Sequence, residues 1–193
     1  MPRAGLSRTV VVVAAADLAD ATGCDGLTLA AVARRLGVAV PSLYKHIDGL
    51  DDLRRGISIL ALAALADALR SAADHTARLD GSARLRALAD AYRRFALGHP
   101  GRYAATVRAA PPGDRDHAAA ADRVLRAVLG PLEERGLVGD EAIDATRALR
   151  AGLHGCVALE SSGGFGMPRD VDRSFERLVA ILDQGLRVGR DSR

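Results

Sequence analysis

A short amphipathic helix pattern that ends at a glycine constrains this chain more than any other feature. Residues 28–36 read TLAAVARRL, and their apolar side chains recur at the spacing of one helix face: Leu29, Val32, Ala33 and Leu36. Thr28 precedes this stripe, where its hydroxyl can cap free backbone N–H groups. Gly37 follows it, and glycine adopts the left-handed conformation that ends helices without steric cost. We therefore predict a helix bounded by Thr28 and Gly37.

A second, shorter helix pattern follows after one turn. Pro41 has the fixed φ that suits the first position of a helix. Leu43 and Ile47 would then face the preceding helix. The polar side chains of this segment would face outwards: Ser42, Tyr44, Lys45 and His46. The stretch thus predicts a helix-turn-helix whose second helix fits a DNA major groove.

The composition favours helices for the rest of the chain. Its 193 residues include no tryptophan, only 3% are aromatic, and no long stretch alternates apolar with polar residues as a strand does. We predict an all-α protein of about nine helices, with a three-helix DNA-binding domain at residues 1–49 and a helical bundle at residues 50–193. The formal net charge of +3 is too small to identify a nucleic-acid partner by itself.

Two apolar stretches resemble a signal peptide or a membrane span in part. Residues 10–16 are apolar, but Asp17 and Asp20 interrupt the run, which fits a first helix better than a signal peptide. Residues 57–69 are interrupted by Asp67 and are too few to span a bilayer. We expect a cytoplasmic protein without a membrane partner.

One segment resembles the DNA-binding part of TetR-family transcriptional regulators: LTLAAVARRLGVAVPSLYKHIDGLDDL, residues 27–53. Those proteins show a similar order of Leu-Thr, an Ala-rich helix, Gly-Val, a short recognition helix with Leu-Tyr-x-His, and a long following helix. The chain departs from this pattern at two positions. Ala39 stands where the family often has a capping serine, and Leu50 where it often has a phosphate-binding lysine.

A second segment resembles the ligand domain of the TetR-family branch named for a Trp-His-Gly signature: LRAGLHGCVALESSGGFGMPRDVDRSFERLV, residues 149–179. The matching positions are His154, Gly155, Leu159, Glu160 and the Gly-Gly-Phe at 163–165. The tryptophan is absent, and Arg150 stands near its place. This resemblance implies a C-terminal ligand-binding and dimerisation domain.

The helix-turn-helix assigns DNA contacts by position. Residues 40–42 would approach base edges, since a recognition helix enters the groove end-on, and residues 44–46 would mostly bond phosphates. Thr28 and Arg35 would hold the backbone of the neighbouring strand. Tyr44 has the alternative of half-buried packing. The complete set of predicted DNA-contacting residues is Thr28, Arg35, Ala39, Val40, Pro41, Ser42, Tyr44, Lys45 and His46.

One short recognition helix specifies too few base pairs for a genome, so we expect a homodimer on a palindromic double-stranded DNA operator. The sequence predicts an eighth helix over about residues 140–161 and a ninth over 168–188. The resemblance implies that these two helices pack against their copies as a four-helix bundle. Gly152, Gly155 and Ala158 would permit close approach of helices. The alternative is that these small residues pack within one subunit.

The resemblance also implies a small-molecule effector that binds among the fifth to eighth helices and releases the protein from DNA, as for a repressor. His154 is of interest as a polar residue on an apolar helix face, although a buried histidine can equally have a structural partner. The candidate pocket residues are Leu88, Tyr92, Phe95, Tyr103, Val107, Leu125, Leu129, His154, Val157 and Phe165. The alternative function is a helical ligand-binding or scaffold protein without a DNA partner.

An enzyme is not expected. The sequence contains no Ser-His-Asp spacing, HExxH motif, phosphate-binding glycine loop or paired-cysteine metal site. His99, His117 and His154 could serve acid–base chemistry, but His117 lies in an Asp-Arg-Asp-His stretch that indicates a solvated helix start. We predict no catalytic residue, no cofactor and no metal site.

Overall fold

The computed structural model describes residues 5–24 and 26–188. Within these residues the regular structure consists of nine α-helices and no strand, which confirms the all-α prediction. The helices are α1 Arg8–Thr22, α2 Leu29–Leu36, α3 Val40–Leu43, α4 Leu50–His75, α5 Gly81–Gly98, α6 Pro100–Ala105, α7 Arg115–Glu133, α8 Gly139–Ser161 and α9 Val171–Val188.

Contacts between Cα atoms divide the chain into two compact units. The first unit comprises the described parts of Met1–Ala64 together with Gly98–Arg123. The second comprises Leu65–Leu97 together with the described part of Val124–Arg193. Both α4 and α7 contribute residues to each unit. The division into domains at residues 1–49 and 50–193 stays a prediction.

The core of the first unit includes a helix with four consecutive valines, residues 10–13 of α1. A β-branched residue lowers helix propensity by at most about 0.7 kcal/mol. Val11 and Val12 are buried against Leu43, Ile47 and the start of α4 in one apolar cluster. Burial of a valine side chain contributes about 1.5–3 kcal/mol, so packing outweighs the local preference.

The short helix α6 begins and ends earlier than the sequence predicts. The sequence predicts a short sixth helix over residues 102–109, which the prolines at 111 and 112 would end, whereas α6 covers Pro100–Ala105. Pro100 occupies the first helical position, where the missing N–H is no loss. The Thr106 hydroxyl donates to the Tyr103 carbonyl at 2.7 Å, and Thr106 ends the helix. Within the first unit, α6 packs against α1.

The core of the second unit includes two apolar clusters of described residues. One joins α5 with α7 and α8, and the other joins α5 with α8 and α9. The buried members of the first cluster are Leu85, Leu132, Leu137, Ala142, Ala145 and Leu149. Those of the second are Ala89, Leu153, Cys156, Phe175 and Val179.

A partly buried arginine links three helices of the second unit through ion pairs. Arg93 of α5 donates to both carboxylate oxygens of Glu160 in α8, at 2.8 and 2.6 Å, and pairs with Asp172 of α9 at 2.7 Å. Its guanidinium lies 4.8 Å from the centroid of the Phe175 ring. A guanidinium this buried is tolerated because carboxylates and an aromatic face replace its water.

Among the described residues, α4 alone is long and apolar enough to cross a membrane by length and composition. Several of its apolar side chains are nevertheless buried in the protein. The buried ones are Leu53, Ile57, Ala61, Leu62, Leu65, Ala66 and Leu69.

Candidate DNA interface

The first helix of the helix-turn-helix has a defined stop and start. The Thr28 hydroxyl accepts a hydrogen bond from the Ala31 N–H at 3.1 Å, and such a cap stabilises a helix by about 1 kcal/mol. At the other end Gly37 adopts φ 67° and ψ 33°, and the Val38 N–H donates to the Ala33 carbonyl at 3.0 Å. This left-handed ending turns the chain so that α3 can begin at residue 40. The predicted bounds of α2 are confirmed.

The second helix is shorter than predicted. It covers Val40–Leu43, and residues 44–46 continue as a turn in which the His46 and Ile47 N–H groups both donate to the Leu43 carbonyl, at 2.8 and 3.1 Å. Ala39 provides no side-chain hydrogen bond at the start of α3, which weakens this helix. Leu43 and Ile47 are at most 2% exposed, so the core fixes this segment at both ends.

The outward-facing side chains of this segment agree only in part with the predicted set. Three of them are exposed: Pro41, Tyr44 and Lys45. The exposed fraction of Tyr44 is 57%, which excludes half-buried packing. Ser42 and His46 are half-buried, and Val40 packs partly against the core of the first unit. The main groups on the exposed surface are therefore the aromatic ring of Tyr44 and the ammonium group of Lys45.

Three further predicted residues flank this surface, and all are exposed: Thr28, Arg35 and Ala39. Arg35 pairs with Asp17 of α1 at 3.6 Å, with side chains 45% and 41% exposed. A surface pair of this kind contributes no more than about 1 kcal/mol. A DNA phosphate can therefore take Arg35 from Asp17 at little cost.

Arg8, which the sequence reasoning missed, stabilises the end of the turn at residues 44–46 that follows α3. It donates to both carboxylate oxygens of Asp52, at 2.6 and 2.7 Å, and to the backbone carbonyl of His46 at 3.3 Å. The Asp52 carboxylate also accepts from the Asp48 N–H at 3.0 Å. The hydrogen bonds from Arg8, against some burial, hold the pKa of Asp52 at about 2, so it remains charged at neutral pH. No local pattern in the sequence links residues 44 positions apart.

His117 contradicts the prediction of a solvated helix start, since it is only 5% exposed. The Ser58 hydroxyl donates to the Ala105 carbonyl at 2.7 Å and lies 3.0 Å from Nε2 of His117. Because the Ser58 proton is used by this carbonyl, Nε2 of His117 is the donor and the Ser58 oxygen the acceptor. Asp114 lies 4.0 Å from Nδ1. The three residues form no catalytic triad, because the Ser58 proton is directed at a carbonyl and the group is buried.

Arg55 of α4 holds the start of α7 within the first unit. It donates to both oxygens of Asp114 at 2.6 Å and to Asp116 at 2.9 Å. The hydrogen bonds to Arg55 lower the pKa of Asp114 to about 2. Together with the Ser58–His117 bond, these contacts tie residues of α4 to residues that follow it by about sixty positions.

The candidate pocket residues are distributed over both units. Tyr103 and Val107 belong to the first unit, and the other eight belong to the second. Within the second unit, Tyr92 packs against the cluster that contains Phe175, whereas Leu129 packs against the cluster that contains Leu132. Four candidates are buried, namely Leu88, Phe95, Tyr103 and Val157, and three are 38–40% exposed, namely Val107, Leu125 and Phe165. A pocket lined by these residues stays a prediction.

An exposed helix-turn-helix on an all-helical chain is typical of DNA-binding regulators. Residues 11–57 match the family model described as bacterial regulatory proteins, tetR family. Residues 85–182 match the model described as tetracyclin repressor-like, C-terminal domain. The chain belongs to the TetR family of transcriptional regulators.

Two relatives cover almost the whole chain. The uncharacterised HTH-type transcriptional regulator YobS of Bacillus subtilis is 34% identical over 97% of this chain and 96% of its own length. The uncharacterised HTH-type transcriptional regulator Rv0681 of Mycobacterium tuberculosis is 38% identical over 95% of this chain and 83% of its own. The family and these relatives confirm a DNA-binding regulator with a ligand-binding C-terminal domain, and not an enzyme.

Solved structures support the same fold. A protein from Rhodococcus sp. RHA1 superposes with a TM-score of 0.80 at 24% identity, covering 96% of this chain and 98% of that one. ActR of Streptomyces coelicolor, in complex with actinorhodin, superposes with a TM-score of 0.68 at 19% identity, covering 96% and 97%. At these identities the likeness concerns the fold alone.

Proposed function

We propose that this protein is a repressor that binds a palindromic operator as a homodimer and is released by a small molecule. The observation that carries the DNA half of the proposal is the exposure of Tyr44 and Lys45 beside Leu43 and Ile47, which are fully buried. A tyrosine left in water on a segment that is rigidly held by the core is explained by an external partner. A phosphate backbone suits both the phenol and the ammonium.

The proposed DNA contacts follow from the donor, acceptor or apolar group that each side chain can offer. The Thr28 oxygen accepts the cap bond from Ala31, which leaves its hydroxyl proton for a phosphate. Arg35 gives up its ion pair with Asp17 and binds a phosphate of the same DNA strand that Thr28 contacts. Pro41 offers an apolar contact to a thymine methyl, and Ser42 offers a hydroxyl to a base edge. Val40 and Ala39 serve mainly to place the segment.

The homodimer proposal rests on exposed apolar residues of α8 and α9. Ile181 is 55% exposed and Leu159 49% exposed in a single subunit. Of the small residues on α8, Gly152 is used within the subunit, because a Cβ there would lie 3.2 Å from the Leu182 side chain. Gly155 has no atom within 4 Å of such a Cβ. The free face at Gly155 thus suits close approach of a second copy.

The effector proposal places a small molecule among helices of the second unit, near the half-buried His154 and Tyr92. ActR, which shares the fold, was solved with actinorhodin bound. We also propose membership of the Trp-His-Gly branch, supported by His154, Gly155 and Glu160, with Arg150 near the place of the tryptophan. α4 contributes residues to both units as one helix from Leu50 to His75 and would carry the effector signal. A regulator of this kind works in the cytoplasm, where the DNA is.

The test is selection of DNA fragments of the source genome by the purified full-length protein, followed by footprinting. The expected result is an enriched palindrome whose half-sites lie about one helical turn apart or a multiple of it. Deletion of the gene should raise transcription next to that site, and fractions of a cell extract should release the bound fragment. Enrichment of no fragment, or of a single asymmetric half-site, would contradict the proposal.

A further inference from the structure

A polar cavity of the second unit lies apart from the candidate pocket residues, none of which lines it. Its volume is about 850 Å³, and it is formed by the start of α5, the end of α7 and the end of α9. It is an open cavity with wide access to solvent, and its lining is more polar than apolar. The charged and polar lining residues are Asp80, Ser82, Arg84, Glu134, Arg135 and Arg187.

Most of these charges are already matched inside the protein. Arg135 donates to Asp183 at 2.7 Å, and Ser82 and Arg187 also donate to Asp183, at 2.8 and 2.9 Å. Burial would raise the pKa of Asp183, but these three donors outweigh it and lower that pKa. The Asp80 carboxylate accepts the Ser82 N–H at 2.9 Å and the next N–H of the chain at 3.0 Å, which caps α5. These groups form a fixed frame around the cavity.

The ion pair between Arg84 and Glu134 differs from these contacts, because its arginine is mostly buried and its carboxylate is mostly exposed. Arg84 is 12% exposed and donates through both terminal nitrogens to Glu134, whose side chain is 60% exposed. The Nε of Arg84 is buried and has no hydrogen-bond partner among the residues that the structure describes. A mostly buried guanidinium is therefore held by a solvated carboxylate that satisfies only part of it. A buried donor left without an acceptor is unfavourable.

We propose that this cavity binds a small carboxylate-bearing molecule, whose carboxylate replaces Glu134 on Arg84. Exchange of one carboxylate for another keeps the guanidinium paired, and Glu134 can return to water because most of its side chain is already solvated. Once Glu134 has left, Arg84 is the one guanidinium of the lining without a carboxylate, so the cavity favours an anion over a neutral compound. This site is independent of the proposed operator binding.

The test uses the full-length protein, with succinate as the probe, in isothermal titration calorimetry at constant ionic strength set with chloride. Glu134→Ala removes the internal competitor, so succinate should bind this variant roughly tenfold more tightly than the wild type. Adding Arg84→Met to Glu134→Ala should weaken binding at least about tenfold. Arg86→Met is the matched control, because Arg86 lies on the same helix, is 51% exposed and pairs with Glu176 at 3.9 Å. It should leave binding unchanged.

If Arg84→Met fails to fold, Arg84→Lys replaces it as the test variant. Lysine keeps the positive charge but lacks the planar pair of donors, so it should also weaken succinate binding. The proposal is overturned if succinate binds Glu134→Ala no better than the wild type, or if the Arg84 variants bind equally well. It is also overturned if inorganic phosphate binds and succinate does not. Because the readout is binding of succinate, failure here leaves the operator proposal standing, and failure of the operator proposal leaves this site standing.

Discussion

Gly101 of α6 lies directly against the backbone of Ala19 in α1, so closely that a Cβ on Gly101 would overlap the Ala19 carbonyl. The next residue, Arg102, pairs with both Asp17 and Asp20 of α1, and its N–H donates to Asp20 at 2.7 Å. Backbone contact and ion pairs thus fix α6 to the helix that packs beneath the helix-turn-helix. In the first unit, a segment from the middle of the chain determines how α1 is held.

Gly101→Ala should therefore destabilise the protein. The added methyl meets backbone atoms, which cannot move aside as a flexible side chain could, so we expect a loss of about 3 kcal/mol, the upper end of the usual range for overpacking, in the free energy of unfolding. Gly98→Ala is the control, since a Cβ there meets no atom within 4 Å and alanine favours a helix. Urea unfolding measures both variants, and equal stabilities would show that α6 does not depend on this close approach.

Tyr44→Ala with Lys45→Ala should abolish operator binding while the fold is kept. Both side chains are exposed, so the stability should change by no more than about 0.5 kcal/mol. Loss of two phosphate contacts in each half-site should weaken binding by about 100-fold or more. Fluorescence anisotropy with a fragment from the genomic selection measures this affinity. If the protein is a scaffold without DNA function, neither the wild type nor the variant will bind DNA.

Lys45→Ala alone tests the phosphate role of the ammonium. Each phosphate contact contributes about 0.9 to the slope of log affinity against log salt, so a dimer that loses two lysine contacts should show a slope smaller by about 2. Arg70→Ala, an exposed arginine of the second unit, removes the same charge and should leave the slope unchanged. An unchanged slope for Lys45→Ala would assign the lysine to a base or to no contact.

Two carboxylates of the first unit should make its stability depend on acid pH. Arg8 lowers the pKa of Asp52, and Arg55 lowers that of Asp114, from 3.8 to about 2 in each case. Since the folded pKa is the lower one, these pairs stabilise the fold above about pH 4 and lose that stabilisation as the pH falls towards 2. Urea unfolding between these values should show the decline. Arg55→Met should make it shallower, and an identical decline would contradict the role of Asp114.

The elements that the sequence predicts well are those whose signals are local. Thr28 and Gly37 bound α2 because capping and left-handed glycine act within a few residues. The same local reasoning failed at His117, where a polar stretch indicated solvent. Its burial depends on Ser58, 59 positions earlier in the chain, and no periodicity within α7 can report such a partner.

The cavity in the second unit shows the same limit for a binding site. The candidate pocket residues are mostly apolar or aromatic side chains on helix faces, with His154 as the polar exception, whereas the cavity is lined by charged residues such as Arg84 and Glu134. On each helix alone these residues look like ordinary solvated charges. Only the meeting of three helix ends turns them into a lining.

Ile181→Asp should separate the proposed homodimer into folded monomers. Ile181 is 55% exposed within one subunit, so a carboxylate there is harmless to the monomer, but in the dimer it would be buried without a partner. We expect the dissociation constant of the dimer to rise by at least about 100-fold, as measured by sedimentation equilibrium, and operator binding to fall with it. Val138→Asp is the matched control, because Val138 is 61% exposed just before α8 and outside the α8–α9 faces. An Ile181→Asp protein that remains dimeric would show that the dimer uses a different surface.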